Sequence, residues 1–219
     1  MTFAVKICGL STPQTLDAAL DAGADLVGFV FHPKSPRNVA RDLAASLVGR
    51  TARRARTVAL IVDMTPEEVR ALCIAVRPDL LQLHGRETPA DVAAMRAATG
   101  LPVIKAVGVA NAQDLAAITP YRAVADHILI DAKPPKDAAY PGGHGRPFDW
   151  SILATLDPGL AFMLSGGLTP DNVAEAIAGC RRLGCNLAGV DVSSGVESAP
   201  GVKDVARIGA FVAAARSAG

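Results

Sequence analysis

"AVKICGLSTPQTLDAALDA", residues 4–22, holds a strand, a turn and the start of a helix in one stretch. Residues 4–8 are aliphatic apart from Lys6 and Cys8, Gly9 ends the run, and Ser11, Thr12 and Pro13 precede an Ala- and Leu-rich segment. A Thr cap followed by proline suits a helix N-terminus, because proline lacks an N–H that would be orphaned there anyway. The same pattern recurs. Strands are predicted at "LVGFVF" (26–31), "TVALIV" (57–62), "LLQLH" (80–84), "PVIKAV" (102–107), "HILID" (127–131), "AFMLS" (161–165) and "GVDVS" (189–193). Thr65–Pro66, Thr88–Pro89 and Thr169–Pro170 open further helices, and the weakest helix signals follow the fifth and sixth strands. Eight βα units satisfy their edge hydrogen bonds by closing, which predicts a single (β/α)8 barrel over residues 1–219. An open doubly wound sheet is the alternative.

Composition agrees with that architecture. Of 219 residues, 50% are hydrophobic and only 4% aromatic, so the core must be built from Ala, Val, Leu and Ile. A formal net charge of +1 without a run of one sign gives no electrostatic footprint for a nucleic acid. Small molecules are the expected partners. Cys8, Cys73, Cys180 and Cys185 form no CxxC pair and have no histidine at zinc-finger spacing, so no structural metal is expected. "MTFAVKICG" lacks a signal peptide's apolar run, and no stretch reaches about 20 apolar residues, so neither a membrane span nor export is expected. Unpaired thiols then suit a reducing cytoplasm.

A barrel of this kind works at the C-terminal ends of its strands. There the sequence sets Cys8, Gln82 with His84, Asp131, Ser165 with Gly166 and Gly167, and Asp191 with Ser193, Ser194 and Gly195. Lys6 and Cys8, two apart in a strand, share a face, and a neighbouring ammonium would favour a thiolate. Asp131 is expected among apolar Ile128 and Ile130, a setting that raises a carboxyl's pKa and lets it donate a proton. A thiolate base opposite a protonated acid is suited to isomerisation. The turns "SGGL" and "SSGVE", after strands 7 and 8, carry the small residues that let backbone amides approach a phosphate.

These motifs together resemble the phosphoribosylanthranilate isomerase family: "KICGL" at 6, "GFVFHPKSPRNV" at 28, "QLHGRE" at 82, "ILIDAK" at 128, "GGHGRPFDW" at 142, "LSGGLTPDNV" at 164 and "GVDVSSGVE" at 189. The resemblance implies a TIM barrel of the ribulose-phosphate-binding type and an Amadori rearrangement in tryptophan biosynthesis, without metal or organic cofactor. Carried over residue by residue, it implies Cys8 as general base and Asp131 as general acid. It implies Arg37 facing the anthranilate carboxylate, with His84 and Asp191 positioning the substrate. Gly143, Gly145, Gly166, Gly167, Ser194 and Gly195 are the implied phosphate loops. His144, Pro147 and Asn38 depart from residues common in the family. Three rivals compete: a Schiff-base aldolase using Lys105 or Lys133, the histidine-pathway isomerase, which uses two aspartates, and a non-catalytic phosphate-ligand sensor.

Overall fold

Each aliphatic run becomes a strand. A computed structural model of the protein describes residues 3–133 and 148–219. Its strands are β1 (Ala4–Cys8), β2 (Leu26–Phe31), β3 (Arg56–Ile61), β4 (Leu80–Leu83), β5 (Val103–Val109), β6 (His127–Ala132), β7 (Phe162–Leu164) and β8 (Leu187–Val192). They close in sequence order into a parallel barrel, β1 pairing with β2 through Lys6↔Leu26 and with β8 through Lys6↔Asp191. The polar residues His84, Ser165 and Ser193, placed at strand ends from sequence, lie just beyond the last paired residue.

The helices α1 (Pro13–Asp21), α2 (Arg41–Thr51), α3 (Pro66–Val76), α4 (Pro89–Thr99), α5 (Val173–Arg182) and α6 (Val205–Ala218) cover the barrel. Three begin at the predicted Thr-Pro pairs. Thr12 accepts from the Thr15 N–H, while Thr65 with Glu68 and Thr88 with Asp91 form reciprocal capping boxes. The fourth pair behaves differently: Thr169 and Pro170 lie in a turn, and α5 starts at Val173. The Asn172 side chain accounts for the delay, since its Oδ1 accepts from the Thr169 N–H (2.8 Å) and its Nδ2 donates to Gly167 O (3.0 Å).

The crossover after β5 is a 3-10 segment, Ala112–Tyr121, not an α-helix, and the described part of the crossover after β6 holds a second, Trp150–Thr155. Pro120 lies inside the first and has no N–H to donate, and the second is only six residues long. Trp150 opens the second and packs on the barrel's outside.

Strand alternation divides the core in two. Outward residues such as Val5, Ile7, Ile128 and Ile130 join the helices in one large cluster, while Leu26, Val58, Leu80, Ile104, Leu129 and Met163 fill the barrel's floor. Above that floor polar side chains face inward beside a small cluster of Cys8, Val30 and Leu60. Between β8 and α6 an antiparallel hairpin of β9 (Glu197–Ala199) and β10 (Val202–Lys203) folds over the mouth's edge.

Candidate active site

Inward side chains at the mouth come from five strands or their ends: Lys6 and Cys8, Gln82 and His84, Asp131, Ser165, and Asp191. Lys6 is fully buried, and its Nζ donates to Asp191 Oδ1 at 2.6 Å; Ser165 Oγ donates to Asp191 Oδ2 at 3.0 Å. Burial opposes the Lys6 charge, but Asp191 first and Cys8 second outweigh it and raise the ammonium's pKa. A Cβ built on Gly28 would lie 2.9 Å from Cys8 Sγ and 3.4 Å from Lys6 Nζ, so thiol and ammonium sit over the same glycine.

Two expectations about ionisation need correction. The Lys6 ammonium does not win a thiolate: Cys8 is 2% exposed, and burial raises its thiol pKa while Lys6, and more weakly Lys203, pull the other way without prevailing. Asp131 does not sit between Ile128 and Ile130. Both isoleucines face the helix layer, whereas Asp131 faces the mouth, because neighbours in a strand point to opposite sides.

Asp131 instead meets polar groups. Its Oδ1 accepts from the Ala132 N–H at 2.9 Å, and its Oδ2 lies 3.0 Å from His84 Nε2. His84 Nδ1 lies 3.0 Å from Gln82 Nε2. An amide nitrogen only donates, so Nδ1 accepts and the ring proton sits on Nε2, pointing at Asp131. Gln82 Oε1 is buried and has no partner among the described residues.

Arg37, from the loop after β2, is buried and binds Glu197 through two bonds, Nε to Oε1 at 2.7 Å and Nη2 to Oε2 at 2.9 Å. Its stem lies against Gly9, where an added Cβ would come within 2.7 Å of Arg37 Cδ, so it crosses the end of β1 next to Cys8. Lys203 Nζ reaches the same Glu197 Oε1 at 2.7 Å and also donates to Ser193 O and Oγ at 2.9 and 3.1 Å.

The two glycine turns after β7 and β8 pack together. Gly166 and Gly167 take φ of 86° and 70°, where L side chains are strained, and a Cβ on Gly195 would strike the Leu168 carbonyl. Ser194 opens a single 3-10 turn, Ser194–Val196. Gly143 and Gly145, with His144 and Pro147, lie outside the described residues.

Comparison with known proteins decides the family. The family model described as N-(5'-phosphoribosyl)anthranilate (PRA) isomerase matches residues 5–214. The chain belongs to the phosphoribosylanthranilate isomerase family. It is 55% identical to the N-(5'-phosphoribosyl)anthranilate isomerase of Nitrobacter hamburgensis over 218 residues, which is 100% of this chain and 95% of that relative. The counterpart from Rhodopseudomonas palustris is 55% identical over 217 residues, 99% and 97% of the two chains. Among solved structures, the phosphoribosyl anthranilate isomerase of Thermotoga maritima superposes with a TM-score of 0.86 at 34% identity, covering 99% of this chain and 100% of that one. A second, at TM-score 0.84 and 33% identity over the same shares, holds reduced 1-(o-carboxyphenylamino)-1-deoxyribulose 5-phosphate.

Within this isomerase family the aldolase lysines lose their case. Lys105 points away from the barrel's interior and is bound to Glu87 (2.6 Å) and Gly85 O (2.8 Å), while Lys133 pairs with Asp114 at the surface. Sequence reading missed Glu197 and Lys203. Glu197 ends the stretch "GVDVSSGVE", but only the hairpin brings Lys203 back to it. Gln82 and Ser165 stood at strand ends in the sequence, without a hint that one would fix the His84 tautomer and the other hold Asp191. Among the described residues no helix is long and apolar enough to cross a membrane.

Proposed function

We propose that this isomerase converts N-(5'-phosphoribosyl)anthranilate to 1-(2-carboxyphenylamino)-1-deoxyribulose 5-phosphate, a step of tryptophan biosynthesis, with Asp131 as general acid and Cys8 as general base. The observation that carries the roles is the inward placement of both groups at one mouth, on β1 and β6, with Asp191 and Ser165 on the two strands between them. Asp131 gives a proton to the furanose ring oxygen, and the C1'–O bond breaks to leave an iminium on the substrate's own nitrogen. Cys8 then takes the C2' proton, and the electron pair moves into the C1'–C2' bond to neutralise the iminium. The enol hydroxyl at C2' becomes the ketone as C1' gains a proton, so no external electron carrier is required.

For Asp131 to donate, its pair with His84 must hold one proton more than the hydrogen bonds above require. The Gln82 amide can serve that state. Turned over, it presents Oε1 to an Nδ1–H, leaving His84 Nε2 free to accept from a protonated Asp131. Asp191 keeps acceptor capacity for a sugar hydroxyl, since a carboxylate offers about four lone-pair sites. The paired turns at Gly166–Gly167 and Ser194–Gly195 are the proposed phosphate seat within the described residues.

Purified protein mixed with N-(5'-phosphoribosyl)anthranilate is expected to extinguish the anthranilate fluorescence. A flat trace with authentic substrate would remove the enzymatic reading. Arg37 is proposed to receive the anthranilate carboxylate, as a guanidinium fork suits a planar anion. Arg37→Ala is expected to raise KM on the order of 10- to 100-fold, the range for losing hydrogen bonds to a charged group. Steady-state kinetics with an unchanged KM would reassign the arginine.

A further inference from the structure

We infer that Glu197 is a positioning residue for carboxylate recognition, holding the Arg37 guanidinium in the plane in which it meets the substrate. The inference rests on the assignment of Arg37 to the anthranilate carboxylate. Its geometry is independent of that assignment. Glu197 contacts Arg37 through both oxygens, and each oxygen has a second donor: Lys203 Nζ on Oε1 at 2.7 Å, and the Gly201 N–H on Oε2 at 3.2 Å.

Four donors on one buried carboxylate leave it little freedom to rotate. The backbone is tied down as well, because Arg207 donates to the Glu197 carbonyl and the Asp204 N–H to Val196 O at 2.9 Å. Burial disfavours the Glu197 charge, yet the Arg37 hydrogen bonds, with Lys203, overcome this and lower its carboxyl pKa. Lys203 in turn uses Ser193, whose hydroxyl donates to Cys8 O at 3.2 Å. The hairpin of β9 and β10 thus connects the loop after β2 to the end of β1.

The charges fit the role. An arginine alone would be free to swing, and an arginine neutralised by one carboxylate would attract an anion poorly. Arg37, Lys203 and Glu197 taken together carry one net positive charge, and the shared carboxylate fixes the fork. A merely structural salt bridge would affect all substrates alike. A device for holding Arg37 should matter only where a substrate carboxylate is present.

The test therefore compares N-(5'-phosphoribosyl)anthranilate with the corresponding phosphoribosyl aniline, which lacks the carboxylate. Glu197→Gln in the full chain is expected to raise KM for the anthranilate compound at least about tenfold, within the effect of misplacing a binding group. Its kcat, and both constants for the aniline compound, should change little. Arg37→Ala should lose the same discrimination, and the double variant should lose no more than either alone. Should Glu197→Gln fail to fold, Glu197→Asp keeps the charge, is too short to hold both nitrogens, and is read the same way. Equal losses on the two compounds would reduce Glu197 to a structural part and overturn the inference. Loss of discrimination in Arg37→Ala but not in the Glu197 variants would overturn the inference and leave Arg37 as the carboxylate's partner. Discrimination intact in Arg37→Ala would overturn both.

Discussion

Cys8→Ser is expected to lower kcat by about 10²- to 10⁴-fold, the usual cost of losing a positioned acid or base. Serine is only slightly smaller, and its hydroxyl can replace the thiol as a partner of Lys6, so the barrel should fold. What it lacks is an accessible anion. Cys8 packs with Val30 and Leu60 in the top layer of the barrel's interior, and the exchange of sulfur for oxygen there should move the melting temperature by only a few degrees. A second consequence concerns pH. Burial holds the thiol above its ordinary value of 9.0 in spite of Lys6, so thiolate is the minor form of the free enzyme at neutrality. The ultraviolet absorbance of a thiolate, taken as wild type minus Cys8→Ser, should therefore develop only above about pH 9. Circular dichroism and the fluorescence assay check folding and turnover. A serine variant with near-normal turnover would move the base elsewhere, and a Cys8 thiolate already complete at neutrality would show that Lys6 outweighs burial.

The fold was legible because its signals are local. A strand, a glycine and a Thr-Pro cap lie within ten residues of one another, as in Cys8, Gly9, Thr12 and Pro13, and the hydrogen bonds that give them meaning are equally short in range. The 3-10 crossovers and the late start of α5 were less legible because one proline or one Asn side chain decides them. At the site, strand ends identified Cys8, His84, Asp131 and Asp191 as a group at one mouth. What the sequence could not express was which partner each takes. Lys6 reads as a neighbour of Cys8, yet its closest charge is Asp191, 185 residues away. Arg37 reads as a loop cation, and its partner Glu197 is 160 residues away. The error over Asp131 has a different source: Ile128 and Ile130 are its neighbours along the chain, and alternation turns them outward.

Asp131→Asn should match the cysteine variant in severity and differ from it in cause. Asparagine has nearly the same shape, and its oxygen can still accept from the Ala132 N–H, so the backbone at the end of β6 is retained. The other end must change, because an amide nitrogen then faces His84 Nε2 where a carboxylate oxygen stood. Two donors cannot share that contact, so the ring proton should move to Nδ1 and the Gln82 amide should turn its unpartnered oxygen toward it. The variant can therefore satisfy its hydrogen bonds without being able to release a proton to the furanose oxygen. Ring opening fails, and kcat should fall by about 10²- to 10⁴-fold while KM changes little. The predicted tautomer gives a second reading: nitrogen NMR of the His84 ring should show the proton on Nε2 in the wild type and on Nδ1 in Asp131→Asn. Persistence of full activity would deny Asp131 its role as the acid. A tautomer unchanged between the two proteins would instead deny that Asp131, His84 and Gln82 act as one relay.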